Sequence, residues 1–262
     1  MKSKVFIYVS LIFLALNLHA QKVSHEECLE KGDNYIFAGG ECIQYFKSKG
    51  DRGGYLNIIV HGTWPDGTNT LGRYSTFAET LTLNTDITTV AVALPGYSDS
   101  STNNFTALAH EGVKNLAAKE EYIKFLGELI SELKDRFEAK TVTYIGHSAG
   151  AMMGATLTGV EPNLINNAIL VGGRYDIHQN DKSPGLISIV DVINKVSKKT
   201  KFILIYGEND KVSPPEVTKN FYNLAIKKGL DAKIVEVKNG VHLDLDMTDT
   251  SLEAITKLLE EE

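Results

Sequence analysis

Cysteine is nearly absent from this sequence: Cys28 and Cys42 are the two in 262 residues. No CxxC pair, no HExxH and no HxH occurs, so the ligand spacing that a zinc site needs is missing. Neither a GxGxxG fingerprint nor a P-loop is present, which leaves a nucleotide without a cradle. No cofactor is expected. Basic excess is missing too: 27 Lys and Arg stand against 33 Asp and Glu, a net charge of −6, with no basic run. Such a chain is a poor candidate for nucleic acid or an anionic membrane surface. Internal repeats and low-complexity linkers are lacking, so nothing argues for a second domain.

Long apolar runs are confined to the first twenty residues. Lys2 and Lys4 give a positive start, Val5 to Leu16 is apolar but for Ser10, and Asn17-Leu18-His19-Ala20 offers a small residue at a cut. This layout predicts a secretory signal peptide cleaved after Ala20 and hence a secreted or periplasmic protein. The run is too short for a membrane span, which needs about 20 apolar residues. Leu18 is bulky three before the cut, which leaves an uncleaved anchor as the alternative. Residues 21–262 then suffice for one domain with a full core. An even cysteine pair in an exported chain predicts a Cys28–Cys42 disulfide that pins the N-terminal arm.

What is present is an alternation of short apolar runs and amphipathic stretches. Tyr35 to Phe46, broken by Gly39-Gly40, reads as a hairpin. Tyr55–Val60, Ile87–Leu94, Thr141–Ile145, Asn167–Val171, Phe202–Tyr206 and Ile234–Val237 read as strands, most of them apolar on both faces. Between them, Lys119–Lys140 is the clearest helix, with Tyr122, Leu126, Leu129, Ile130, Leu133 and Phe137 on one stripe. Arg73–Leu81, Ala149–Val160, Leu186–Val196, a stretch ending at Lys228 and a final one from Ser251 complete the helices. Ser213 and Glu216 have the spacing of a capping box before the helix that ends at Lys228. Strand, helix, strand order predicts a mostly parallel sheet with helices on both faces. Ser98–Lys119 is long and polar, either a substrate-facing wall or partial lid or a plain surface excursion.

Thr141 to Gly154 reads TVTYIGHSAGAMMG, a strand, then Gly146-His147-Ser148-Ala149-Gly150, then small residues able to start a helix. This is G-x-S-x-G in its required setting, where a sharp turn lifts a serine above the sheet edge. His61-Gly62-Thr63-Trp64 ends an earlier strand, LPGYS (Leu94 to Ser98) ends the next, and Gly207-Glu208-Asn209-Asp210 and His242 follow two later ones. In these motifs and their order the chain resembles an α/β-hydrolase, most similar to small secreted carboxylesterase-type members with little or no cap. The likeness runs from about Tyr35 to the C-terminus. The family order of nucleophile, acid and histidine implies Ser148, Asp210 and His242.

A serine hydroxyl needs an adjacent base, and the base needs a carboxylate to hold its tautomer. Asp176 competes with Asp210 for the acid role, lying after the strand that ends at Val171. Asp210 is favoured because Gly207 and the helix beyond it would hold its loop still. His147, inside the elbow, is expected to face the packed interior, and Asp244 and Asp246 to form a solvated turn. By resemblance the backbone N–H groups of Thr63 and Ala149 would bind an oxyanion. No run of three glycines follows His61, so Trp64 could donate instead of Thr63 or serve as a pocket wall. Trp64 and Tyr97 are the candidate substrate-binding side chains. The implied reaction is hydrolysis of a carboxylic ester through an acyl-serine; a peptide or thioester substrate, transfer to an alcohol, and a non-catalytic binding role remain open.

Overall fold

The structure, a computed structural model, describes residues 22–260. The expected signal segment, with its cut after Ala20, lies outside these residues. Tyr35–Ala38 (β1) and Glu41–Ser48 (β2) form the expected hairpin; Gly39 and Gly40 both take positive φ, 55° and 79°, as a tight turn requires. The later strands are Tyr55–Val60 (β3), Thr89–Val92 (β4), Thr141–His147 (β5), Asn167–Val171 (β6), Lys201–Gly207 (β7) and Asp231–Val237 (β8). All eight make one sheet in the order β1-β2-β4-β3-β5-β6-β7-β8. Pairing is antiparallel from β1 through β2 to β4 and parallel from there on.

The helices are His25–Glu30 (α1), Thr70–Thr85 (α2), Glu120–Arg136 (α3), Ala149–Val160 (α4), Ile189–Val192 (α5), Pro215–Lys227 (α6) and Asp249–Glu260 (α7). Side chains alternate across a strand, so each central strand feeds two cores. Ile58 and Val60 of β3 face a layer with Leu126 and Leu133 of α3, Leu157 of α4 and Phe221 of α6. Ile59, between them, faces Tyr74, Phe77 and Leu81 of α2 with Ile255 and Leu258 of α7. The stripe read on α3 is fully buried from Tyr122 to Leu133, and each such side chain contributes roughly 1.5–3 kcal/mol of transfer free energy. Among the described residues no helix is long and apolar enough to cross a membrane.

Cys28 in α1 and Cys42 in β2 form the expected disulfide, with Cα atoms 5.5 Å apart. A loop of this length stabilises by roughly 3 kcal/mol in the chain-entropy picture. Three local expectations differ from the structure. Helix α2 starts at Thr70 and runs to Thr85, well beyond the Arg73–Leu81 stretch, because its many threonines blur the apolar periodicity. Where Leu186–Val196 has helical spacing, a Ser188–Asp191 capping box starts α5 late, and a 3₁₀ turn replaces it after four residues. The Ser213–Glu216 capping box does not form; Pro214 precedes α6, and the Ser213 hydroxyl donates instead to the Gly173 carbonyl at 2.6 Å.

Candidate active site

Every parallel strand of this sheet ends on the same edge, and the loops after β3, β5, β6, β7 and β8 meet there. Ser148 sits between β5 and α4 with φ 55° and ψ −116°, a backbone conformation that a non-glycine residue holds only when its surroundings enforce it. The enforcement is visible. Its N–H donates to the Val171 carbonyl at 2.8 Å, and its helix packs so close to β3 that a Cβ on Gly150 would overlap the Val60 carbonyl. The same crowding fixes Gly62, where a Cβ would lie 2.7 Å from that of Ser148.

Three of the residues singled out in the sequence come together here. His242, on the loop after β8, has Nε2 2.8 Å from Ser148 Oγ and Nδ1 2.7 Å from Asp210 Oδ2. The other Asp210 oxygen accepts the backbone N–H groups of Val212 and Ser213, both at 2.8 Å. Burial pushes the Asp210 carboxyl upward, but the hydrogen bonds from His242, Ser213 and Val212 outweigh it and the pKa is lowered. The carboxylate is therefore ionised at neutral pH and held in place from three sides. Asp176 is elsewhere: it starts a 3₁₀ turn, accepting the His178 N–H.

The loop after β3 approaches Ser148 from the opposite side. His61 is buried, and burial first, with His147 nearby, lowers its pKa to about 4 despite the Gly62 hydrogen bond. It is neutral. Its Nε2 accepts the Leu94 N–H at 3.1 Å, so the proton is on Nδ1, which donates to the Gly62 carbonyl at 2.7 Å. His61 thus clamps the loop that presents Thr63. Thr63 and Ala149 both border the recess over Ser148. Trp64 lines an adjoining recess, its ring 4.5 Å from the Arg73 guanidinium.

Tyr97 is a correction. It is fully buried and lines neither recess; its ring packs edge-on against His61 and its hydroxyl donates to the Trp64 carbonyl at 2.8 Å. The residue shapes the loop that Trp64 belongs to and has no surface left for a substrate. Asp246 is a second correction. A 3₁₀ turn, Leu245–Met247, rotates it inward to 1 % exposure, beside the buried Tyr74 hydroxyl, whose pKa is raised by burial first and by the Asp246 carboxylate second. Its nearest basic neighbour is His147, with Nδ1 4.0 Å from Oδ1. His147 faces the interior as expected, and its Nε2 lies 2.9 Å from the His242 carbonyl oxygen.

The recess over Ser148 holds about 290 Å³ and is walled by Leu108, Leu116, Ala117, Met152 and Ile177, with Asn115, Arg174 and Asn180 among its polar lining. Three of the apolar wall residues come from the long segment after Ser98, which is therefore a wall of the site. Its early part is tied down by Glu41, a fully buried glutamate whose carboxylate accepts from Ser101, Asn103, Asn104 and Phe105. No local pattern around Glu41 could have announced that role, because its partners lie some sixty residues away.

Residues 57–196 match the model of the family described as the α/β hydrolase fold, which is more than half of the chain. The chain belongs to the α/β hydrolase fold family. Solved structures agree on the fold. The Pyrococcus furiosus esterase Pf2001 superposes with a TM-score of 0.65 at 15% identity, covering 88% of this chain and 91% of that one. Est1E from Butyrivibrio proteoclasticus, solved with ferulic acid bound, gives 0.62 at 17% identity over 87% and 96%. The Bacillus cereus carboxylesterase gives 0.59 at 16% identity over 84% and 94%. No curated protein sequence matches the chain. Ser148 falls inside the matched α/β hydrolase segment, whereas Asp210 and His242 lie beyond it and rest on the geometry described above.

Proposed function

We propose that this α/β hydrolase is a serine esterase that cleaves carboxylic esters through an acyl-serine intermediate. One observation carries the reading: Ser148 Oγ, both nitrogens of His242 and Asp210 form a continuous chain of 2.8 Å and 2.7 Å contacts at the edge of an apolar recess. In this reading Ser148 Oγ attacks the ester carbonyl while His242 Nε2 takes its proton. Asp210 holds the imidazole in the tautomer with the proton on Nδ1 and offsets the imidazolium charge as it forms. The N–H groups of Thr63 and Ala149 stabilise the oxyanion, the latter aided by the N-terminus of α4. His242 then protonates the departing alcohol. Water, activated by the same imidazole, attacks the acyl-serine and frees the acid.

Support for esters over other acyl compounds comes from the neighbours, which include esterases and a carboxylesterase, and from the apolar recess walls. Export with cleavage after Ala20 is part of the proposal, and the disulfide suits an oxidising compartment. Labelling by a fluorophosphonate at Ser148, beside turnover of p-nitrophenyl esters graded by acyl length and of aminoacyl-anilides, tests the reading. Labelling with ester turnover is the expected result. Turnover of anilides alone would make the protein a peptidase, and absence of both labelling and turnover would make the fold a binding scaffold.

A further inference from the structure

Two recesses meet at Ser148, and they differ in chemistry. The larger, of about 290 Å³, includes Ala149 and Met152 of α4 and has Asn115, Arg174 and Asn180 in its lining. The smaller, of about 200 Å³, is formed by Gly62, Thr63, Trp64, His147, Val212 and Leu243 with Ser148 and His242. It contains no Asp, Glu, Lys or Arg. Its outer lip is unusually apolar for a surface. Six large hydrophobic side chains are well exposed among the described residues, and three of them surround His242: Val212 at 51 %, Val241 at 54 % and Leu243 at 56 %. Clustered exposure of this kind at a site mouth marks a surface that an apolar ligand covers.

From these observations we infer that the smaller recess is the leaving-group subsite, and that the substrates are esters of apolar alcohols, alkyl or aryl. The inference rests on the esterase reading above. When the tetrahedral adduct on Ser148 collapses, the C–O bond to the alcohol breaks and the alcohol oxygen takes the proton from His242 Nε2. That oxygen must face His242. His242 itself borders both recesses, but Leu243, which follows it directly, and His147, whose ring lies 5.0 Å from its own, border the smaller one only, and on that ground the alcohol is assigned to the Leu243–Trp64 wall. The acyl chain is then left to the recess lined by Ala149, Met152 and Arg174. A sugar or other polyol fits the smaller recess poorly: its hydroxyls would lose water against Trp64, Val212 and Leu243 and find few partners. The Trp64 ring is a fixed wall, since the Arg73 guanidinium sits over it and is itself paired with Asp244.

The test varies one side of the ester at a time in Leu243→Ser and, independently, Val212→Ser, both exposed positions. For wild type and variants, kcat/KM is measured on methyl, hexyl and benzyl acetates and on methyl hexanoate. The preference for hexyl or benzyl acetate over methyl acetate should fall about tenfold in Leu243→Ser, the scale at which an apolar pocket discriminates by a methylene or two. The preference for methyl hexanoate over methyl acetate should keep its wild-type value in that variant. Val212 borders both recesses, so Val212→Ser should lower the alcohol preference too. A fall confined to the acyl series in Leu243→Ser would assign the recesses the other way round and overturn the inference, as would no change in either series. If wild type hydrolyses none of these esters and takes no fluorophosphonate, the esterase reading itself falls and carries the inference with it.

Discussion

Two histidine–aspartate pairs stand side by side at this sheet edge, and their surroundings differ. The rings of His242 and His147 are 5.0 Å apart, tilted by 37°. His242 has Asp210 at 2.7 Å, and that carboxylate is completed by two backbone N–H groups. His147 has Asp246 at 4.0 Å, beyond hydrogen-bond reach, and among the described residues no backbone N–H group completes that carboxylate. The far nitrogens differ more. His242 Nε2 meets a hydroxyl that can give up a proton, whereas His147 Nε2 meets the His242 carbonyl, which can only accept. His147 must therefore carry its proton on Nε2, where it clamps the backbone of the neighbouring loop. A carboxylate near an imidazole makes a base only when the other nitrogen faces something with a proton to lose.

The largest expected effect removes that proton source. Ser148→Ala should fold and lose about 10⁶-fold in kcat, as happens when a nucleophile of this type is deleted. A residual rate above a tenth of wild type would move the nucleophile to another residue. Next in size is the contrast between the carboxylates. Asp210→Asn should lower kcat/KM on p-nitrophenyl acetate by about 10⁴-fold, because the amide favours the wrong tautomer. Asp246→Asn and Asp176→Asn should each stay within about tenfold of wild type. Equal losses in Asp210→Asn and Asp246→Asn would erase the distinction between the two pairs.

The pair that matters for the proposed chemistry was legible in the sequence, and its neighbour was not, for a physical reason. Ser148 and Asp210 each follow a strand whose apolar run marks it plainly, His242 follows the shorter Ile234–Val237 run of a largely exposed edge strand, and parallel strands deliver their C-terminal loops to one edge. The sheet, the elbow and their convergence are thus written in local pattern. Asp246 belongs to Leu243-Asp244-Leu245-Asp246, whose two carboxylates close behind His242 read as a solvated turn; only the 3₁₀ geometry turns Asp246 inward while Asp244 meets Arg73. Tyr97 fails likewise: LPGYS marks a site edge, but burial of the ring against His61 is a tertiary fact. Ser213 has capping-box spacing, and competition from the Gly173 carbonyl took its hydroxyl. Glu41 is the extreme case, a hairpin glutamate organised by partners far along the chain.

A smaller effect sharpens the role of His147. His147→Leu removes the donor to the His242 carbonyl, and loss of one such hydrogen bond, worth about 1 kcal/mol, should cost about five- to tenfold in kcat through looser placement of the imidazole. His147→Gln, which keeps an N–H able to reach a carbonyl, should recover most of the loss. If Gln and Leu behave alike, ring packing against His242 accounts for the effect and the hydrogen bond does not.

The smallest expected effect concerns acid stability, and its sign follows from Asp210 alone. Burial, acting upward, is outweighed by the His242, Ser213 and Val212 hydrogen bonds, so the folded carboxyl titrates below its ordinary value of 3.8. The folded state therefore binds this proton less readily than the unfolded state does. Stability rises with pH wherever the unfolded chain binds more protons, so Asp210 contributes above 3.8 and its contribution is lost as pH falls through the lowered value. The amide introduced by Asp210→Asn has no proton to titrate, which makes that variant the reference. Whatever the offset between the two proteins at pH 7, the stability of wild type relative to the variant should shrink on acidification below the ordinary carboxylate range. Urea unfolding of both proteins at matched pH values measures the gap. A gap that stays constant, or that widens in acid, would mean that the hydrogen bonds around Asp210 do not favour its ionised form.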